Sequence, residues 1–178
     1  MADQNTNGQG DGGQQAAQPQ AQAQAQPQNL GVLAQYVKDF SFENPGAPAS
    51  LRGRTGNPNI AITINVQPGP VNGDECEVEL RLDAKATSGE EVIFAIELVY
   101  AGLFRLTNIP ADAVQPILRI ECPRLLFPFA RQILADASRN GGFPPLLIDP
   151  IDFVGLYRQR LMEAQAAAQR AGGGSQTA

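Results

Sequence analysis

The sequence predicts an α+β fold, with a β-sheet built first and helices gathered on one of its faces. Three observations carry this. Apolar residues alternate with period two over most of residues 33–100. From residue 123 onward they recur at helical spacing, with Leu126, Phe129, Ile133 and Ala137 on one stripe. Two of the strands carry one polar face each, so one side of the sheet is expected to stay open to water while the helices cover the other.

The expected folding unit is residues 30–170, enough for a single core. Residues 1–29 are Gln, Ala, Gly, Pro and Asn with little apolar bulk, and read as a disordered tail. Residues 171–178 are rich in Gly and read as a flexible C-terminal tail.

The first strand is expected over 33–42, with Ala34, Tyr36, Phe40 and Phe42 toward the core and Gln35, Val37, Asp39, Ser41 and Glu43 toward water. Asn44-Pro45-Gly46-Ala47-Pro48 ends it, and an irregular connection runs to Pro58. The second strand, 59–66, alternates Ile60, Ile62, Ile64 and Val66 with polar or small residues. The third, 76–86, places Cys76, Val78, Leu80, Leu82, Ala84 and Ala86 inside, and Glu77, Glu79, Arg81, Asp83 and Lys85 outside. The fourth, from Val92 to Tyr100 or beyond, is apolar on both faces but for Glu97, which suggests cover on both sides or an interface. On this ground Ile96, Leu98 and Tyr100 are candidate oligomer-interface residues. Short links favour antiparallel pairing of strands two, three and four and leave the place of the first strand open. A short helix capped by Asp112 is expected to end near Glu121, and a second to start at Pro123 and stop at Gly141-Gly142. An extended apolar linker, 143–148, leads to a last helix capped by Asp149, with Pro150 in its first turn.

Charge and composition exclude several functions. Eighteen acidic against thirteen basic residues give a net charge of −5, which disfavours nucleic acid as the main partner. There is no histidine, and Cys76 and Cys122 are far apart in sequence, so no metal site and no cofactor are expected. Both thiols suit a reducing compartment. No apolar run reaches membrane-spanning length and no signal segment is evident, so a soluble cytoplasmic protein without membrane insertion is expected. Glu90 and Glu91 read as a solvated turn, and Asp149 and Asp152 as caps. Cys122 lacks a histidine base and reads as a packed thiol. No catalytic constellation emerges, leaving an acidic, oligomeric binding protein.

The run Glu121-Cys122-Pro123-Arg124-Leu125-Leu126-Phe127-Pro128-Phe129-Ala130-Arg131 closely resembles the SecB protein-export chaperones. So do the stretch from Gly141 to Phe153, with Leu156-Tyr157, and Val37-Lys38-Asp39-Phe40-Ser41-Phe42-Glu43-Asn44-Pro45. The resemblance covers residues 30–161. It implies a four-stranded antiparallel sheet with helices on one side, a cytoplasmic homotetramer built as a dimer of dimers, and no enzymatic activity. It implies that unfolded preproteins are held in apolar grooves edged by residues 44–58 and 125–137, with Leu51, Leu125, Leu126, Phe129 and Ile133 as client-groove residues. It also implies delivery to the SecA translocase motor through Asp39, Glu43, Ala95 and Glu97. Family crossover loops often carry aromatics, whereas this one has Leu51, Arg52 and Arg54. A scaffold or adaptor oligomer that holds no unfolded client is the rival reading.

Overall fold

A computed structural model describes residues 28–52 and 57–172. The two expected tails lie almost entirely outside these residues. Four strands form one antiparallel sheet: β1 (Asn29–Glu43), β2 (Asn59–Asn72), β3 (Glu75–Ser88) and β4 (Glu91–Thr107), in the order β1-β4-β3-β2. The first strand, left open by sequence, therefore pairs with the last. The long connection after β1 follows from this order. It must carry the chain from one sheet edge to the other, three strand spacings or about 14 Å away.

Register puts the even-numbered residues of β3 and β4 on one face, through pairs such as Leu80 with Tyr100, Leu82 with Leu98 and Ala84 with Ile96. The third strand thus turns its two faces as its alternation predicts. The first does so only in part. It carries register shifts between Val32 and Ala34 and between Val37 and Asp39. Each leaves one residue unpaired and reverses the facing of what precedes it. Phe40 and Phe42 pair with Leu98 and Ile96 on the inner face, but Tyr36 pairs with Ala101 on the outer face and Val37 moves inward. Strict alternation could not see the bulge.

The helices cover the inner face. α1 (Ala111–Pro116) passes through a π turn (Ile117–Glu121) directly into α2 (Cys122–Asn140). The expected break at Pro123 does not occur. Pro123 lacks the N–H that Arg119 would accept from, and the wider turn just ahead of it lets the chain stay helical. Asp112 lies in the first turn of α1, where its charge suits the helix dipole, and Pro110 holds the N-cap position. α2 buries Leu126, Phe127, Ala130 and Leu134 against the sheet. Its end is a Schellman motif: Phe143 N–H donates to the Ser138 carbonyl at 3.0 Å, Gly142 N–H to that of Arg139 at 3.1 Å, and Gly142 has φ +87°.

The linker that follows is anchored rather than free. Buried Ser138 accepts the Leu146 N–H at 2.8 Å and donates to the Ala135 carbonyl at 3.1 Å. α3 (Phe153–Gly172) is capped by Asp152, not Asp149: Asp152 Oδ1 accepts the Gly155 N–H at 3.0 Å. Phe153 enters the core beside Phe127, whereas residues 161–170 of α3 are exposed.

The candidate interface residues need correction. Ile96 and Leu98 are 1% and 0% exposed, and Tyr100 is also buried. The chain uses them in its own core, so they offer no surface to another copy. On the opposite face of β4 only the middle is covered by its neighbours, at Val99 and Ala101, while Ala95 and Glu97 stay open. Ala101 pairs with Tyr36 on one side and Glu79 on the other and is fully buried.

Candidate functional site

Two surfaces collect the candidate residues. The first is an apolar groove system along the end of β1, the crossover and α2. Its larger part, about 660 Å³, lies between Leu51 of the crossover, Ile60 of β2, Ile93 and Phe94 of β4, and Phe143 and Leu147 of the linker. A smaller part, about 460 Å³, lies between Phe40, Phe42, Ile133 and Ala137. The ring of Phe42 lies 6.0 Å from that of Phe94, and Phe94 lies 4.9 Å from Phe143, centroid to centroid. These three aromatics join the two parts.

Close backbone approach makes this wall possible. A Cβ on Gly141 would stand 2.1 Å from the Phe42 ring, and one on Gly142 would stand 2.9 Å from Leu51. Larger residues there would push out one wall of each groove. Along α2 the apolar surface continues: Leu125, Phe129 and Ile133 follow one another at i, i+4 and i+8, and Phe129 stacks on Tyr100 at 6.4 Å. Leu125 and Phe129 are 42% and 53% exposed. Leu126 is 0% exposed and belongs to the core, which corrects its expected place in the groove. Leu51 and Ile133 do line the cavities. Phe40, Phe42, Phe94, Phe143 and Leu147 went unassigned by sequence. Leu147 is 70% exposed in a linker whose neighbours Leu146 and Ile148 are buried, a difference that three consecutive apolar residues do not reveal in sequence.

The second surface is the open face of the sheet. Asp39, Ser41 and Glu43 on β1 stand opposite Val99, Glu97 and Ala95 on β4. Asp83 of β3 stands on the other side of Glu97. The structure therefore brings Asp39, Glu43, Ala95 and Glu97 together on one face. Among the described residues, no Lys or Arg pairs with the three carboxylates. Their neighbours are paired instead. Lys38 reaches across β4 to Glu77 at 2.9 Å and to Glu79, and the Tyr36 hydroxyl donates to Glu77. These bonds hold Glu77 below the usual carboxylate range and raise the Tyr36 hydroxyl. The anionic patch is thus bounded by a strap in which Lys38 offsets one of two carboxylate charges.

Among the described residues, neither surface groups a nucleophile with a base. Burial pushes the Cys122 thiol up to about 12, so it is a neutral packing group at physiological pH. Burial also raises Cys76, whose thiol donates to the Gly69 carbonyl at 3.4 Å. Among the described residues no group of three His, Cys, Asp or Glu is placed to hold a metal ion, and no helix is long and apolar enough to cross a membrane.

A family model described as preprotein translocase subunit SecB matches residues 22–164. The protein-export protein SecB of Mesorhizobium japonicum is 57% identical over 141 residues, covering 79% of this chain and 84% of the relative. That of a Bradyrhizobium species is 58% identical over 145 residues, covering 82% and 89%. A solved SecB-like chaperone of Mycobacterium tuberculosis, in complex with a peptide from an antitoxin, superposes with a TM-score of 0.55 at 9% identity over 69% of this chain and 88% of that one. This last likeness is one of fold.

Proposed function

Because this chain belongs to the SecB family and is a protein-export chaperone, we propose that it holds unfolded preproteins in the cytoplasm and hands them to the SecA motor. SecB is not an enzyme family, and clients here are polypeptides. The observation that carries the reading is the groove system. It is open, apolar and aromatic, and among the described residues that line it only Asp136 is charged. Such a surface selects burial rather than sequence, as a holder of many unfolded chains requires.

The working unit in this reading is a homotetramer, a dimer of dimers. Supporting it are the long unpaired edge of β1 and the exposed Val32, Leu33 and Val37 along that strand. Asp39, Glu43 and Glu97, with Ala95 beside them, form the docking face for a basic segment of the motor. Their lack of cation partners supports this, since an unpaired anionic face steers an oppositely charged segment.

Aggregation of a diluted unfolded protein tests the holding activity. Suppression at stoichiometric chaperone is expected, and its absence would favour a scaffold oligomer. The docking face is tested by Asp39→Lys with Glu43→Lys. Motor affinity is expected to fall tenfold or more, on the order of 1.4 kcal/mol or greater, while client holding and oligomeric state persist. Unchanged motor affinity in the folded variant would sink the assignment.

A further inference from the structure

Away from both surfaces, α3 meets the π turn beside the edge strand β2. Val66, Arg119, Leu156, Tyr157 and Arg160 line a notch there, with a free volume of about 10 Å³. Both arginines are half-buried. Arg160 donates from Nη2 to Asn65 Oδ1 at 2.8 Å, and Arg119 from Nε to Gln115 Oε1 at 3.3 Å. Both acceptors are neutral amides. Among the described residues no carboxylate lies within ion-pair distance of either guanidinium. A guanidinium carries five N–H donors, so most of those on each side chain are unspent. Partly desolvated cations are ordinarily paired, because losing water without gaining a counter-charge is costly. In a chain with 18 acidic residues, two such arginines share one notch whose lining, among the described residues, includes no acid.

We infer that this notch is an oxyanion site, taking a phosphate or a carboxylate between Arg119 and Arg160. Guanidinium forks match both groups in geometry and charge. The volume admits one oxygen, about a water's worth of space. The rest of the anion stays at the mouth of the notch, which Tyr157 also lines. The site lies where α3 docks on the helical run of α1 and α2, so an anion bound there ties the last helix to the body of the fold.

Inorganic phosphate is the probe, used on the full-length protein in its native oligomeric state. Equilibrium dialysis with labelled phosphate is expected to show one phosphate retained per chain, and thermal unfolding a higher Tm in phosphate than in chloride at equal ionic strength. An acetate arm distinguishes the planar from the tetrahedral anion; a rise in either supports the site. In Arg119→Gln with Arg160→Gln both the retention and the rise are expected to disappear. Arg160→Lys, which keeps the charge and loses the fork, is expected to weaken retention about tenfold and serves if the double variant fails to fold. A wild type that retains neither anion and gains no Tm above chloride overturns the inference. So does retention undiminished in the variants, which would mark an adventitious ion only.

Discussion

Cys122 shows how one residue can couple stability to pH without any catalytic role. Its thiol is fully buried, and desolvation raises it from an ordinary 9.0 to about 12. Below pH 9 it is protonated in folded and unfolded chains alike, and its contribution to stability is fully present. Above that value the unfolded chain ionises while the folded chain does not. Stability is then lost as pH rises toward 12, by up to about 1.4 kcal/mol per pH unit. Cys76 acts in the same direction. Urea unfolding between pH 8 and 10.5 is expected to show this slope, and Cys122→Ala to reduce it. A slope unchanged in that variant would assign the effect elsewhere. The packed-thiol role was legible in the sequence because a nucleophile needs a base and there is no histidine. The groove aromatics were not, because Phe42, Phe94 and Phe143 are brought together by sheet order and not by spacing.

At the scale of elements, β3 was read almost residue for residue, since strict alternation and charge on one face leave one orientation. The helical run from α1 to α2 was misread as two helices. Pro123 argued for the start of a new helix, but the π turn ahead of it absorbs the missing donor. The linker after α2, read as an extended apolar stretch, is held by Ser138, whose hydroxyl meets both Ala135 and Leu146. Ser138→Ala would leave the buried Leu146 N–H without its acceptor, costing about 1–3 kcal/mol. The urea midpoint should fall accordingly, and amide exchange should quicken first at Leu146. Equal protection at that amide in the variant would mean another acceptor had replaced the hydroxyl.

At the scale of the whole molecule, the proposed function gives the two faces different tasks. Helices and groove occupy one side of the sheet and the anionic patch the other, so client and motor would meet the chaperone without competing for the same surface. The core between them is used up by the chain itself. Ile96→Asp is therefore expected to unfold the protomer, since an unpaired charge in the core costs about 3–5 kcal/mol. Circular dichroism should lose its native signal along with the oligomer. A folded, dissociated protomer would show that Ile96 faces another copy after all. The open edge of β1 is the better place to look for contacts between copies, because its backbone donors and acceptors remain unused on one side.

The two bulges in β1 divide the strand into three reading frames. Phe40 and Phe42 face inward in one, Gln35 and Val37 in the next, and Leu30 and Val32 in the last. A deletion inside a frame shifts everything before it by one and exchanges inside for outside. A deletion of the unpaired residue itself, Leu33 or Lys38, leaves both flanking frames where they were. β1 thus has two sites where its length can change by one residue without the rest of the strand changing sides. Deleting Lys38 forfeits the strap to Glu77 and Glu79 but keeps Asp39 outward and Val37 inward. That variant is expected to fold, and deleting Tyr36 is expected to cost far more, as chemical denaturation of the two would show.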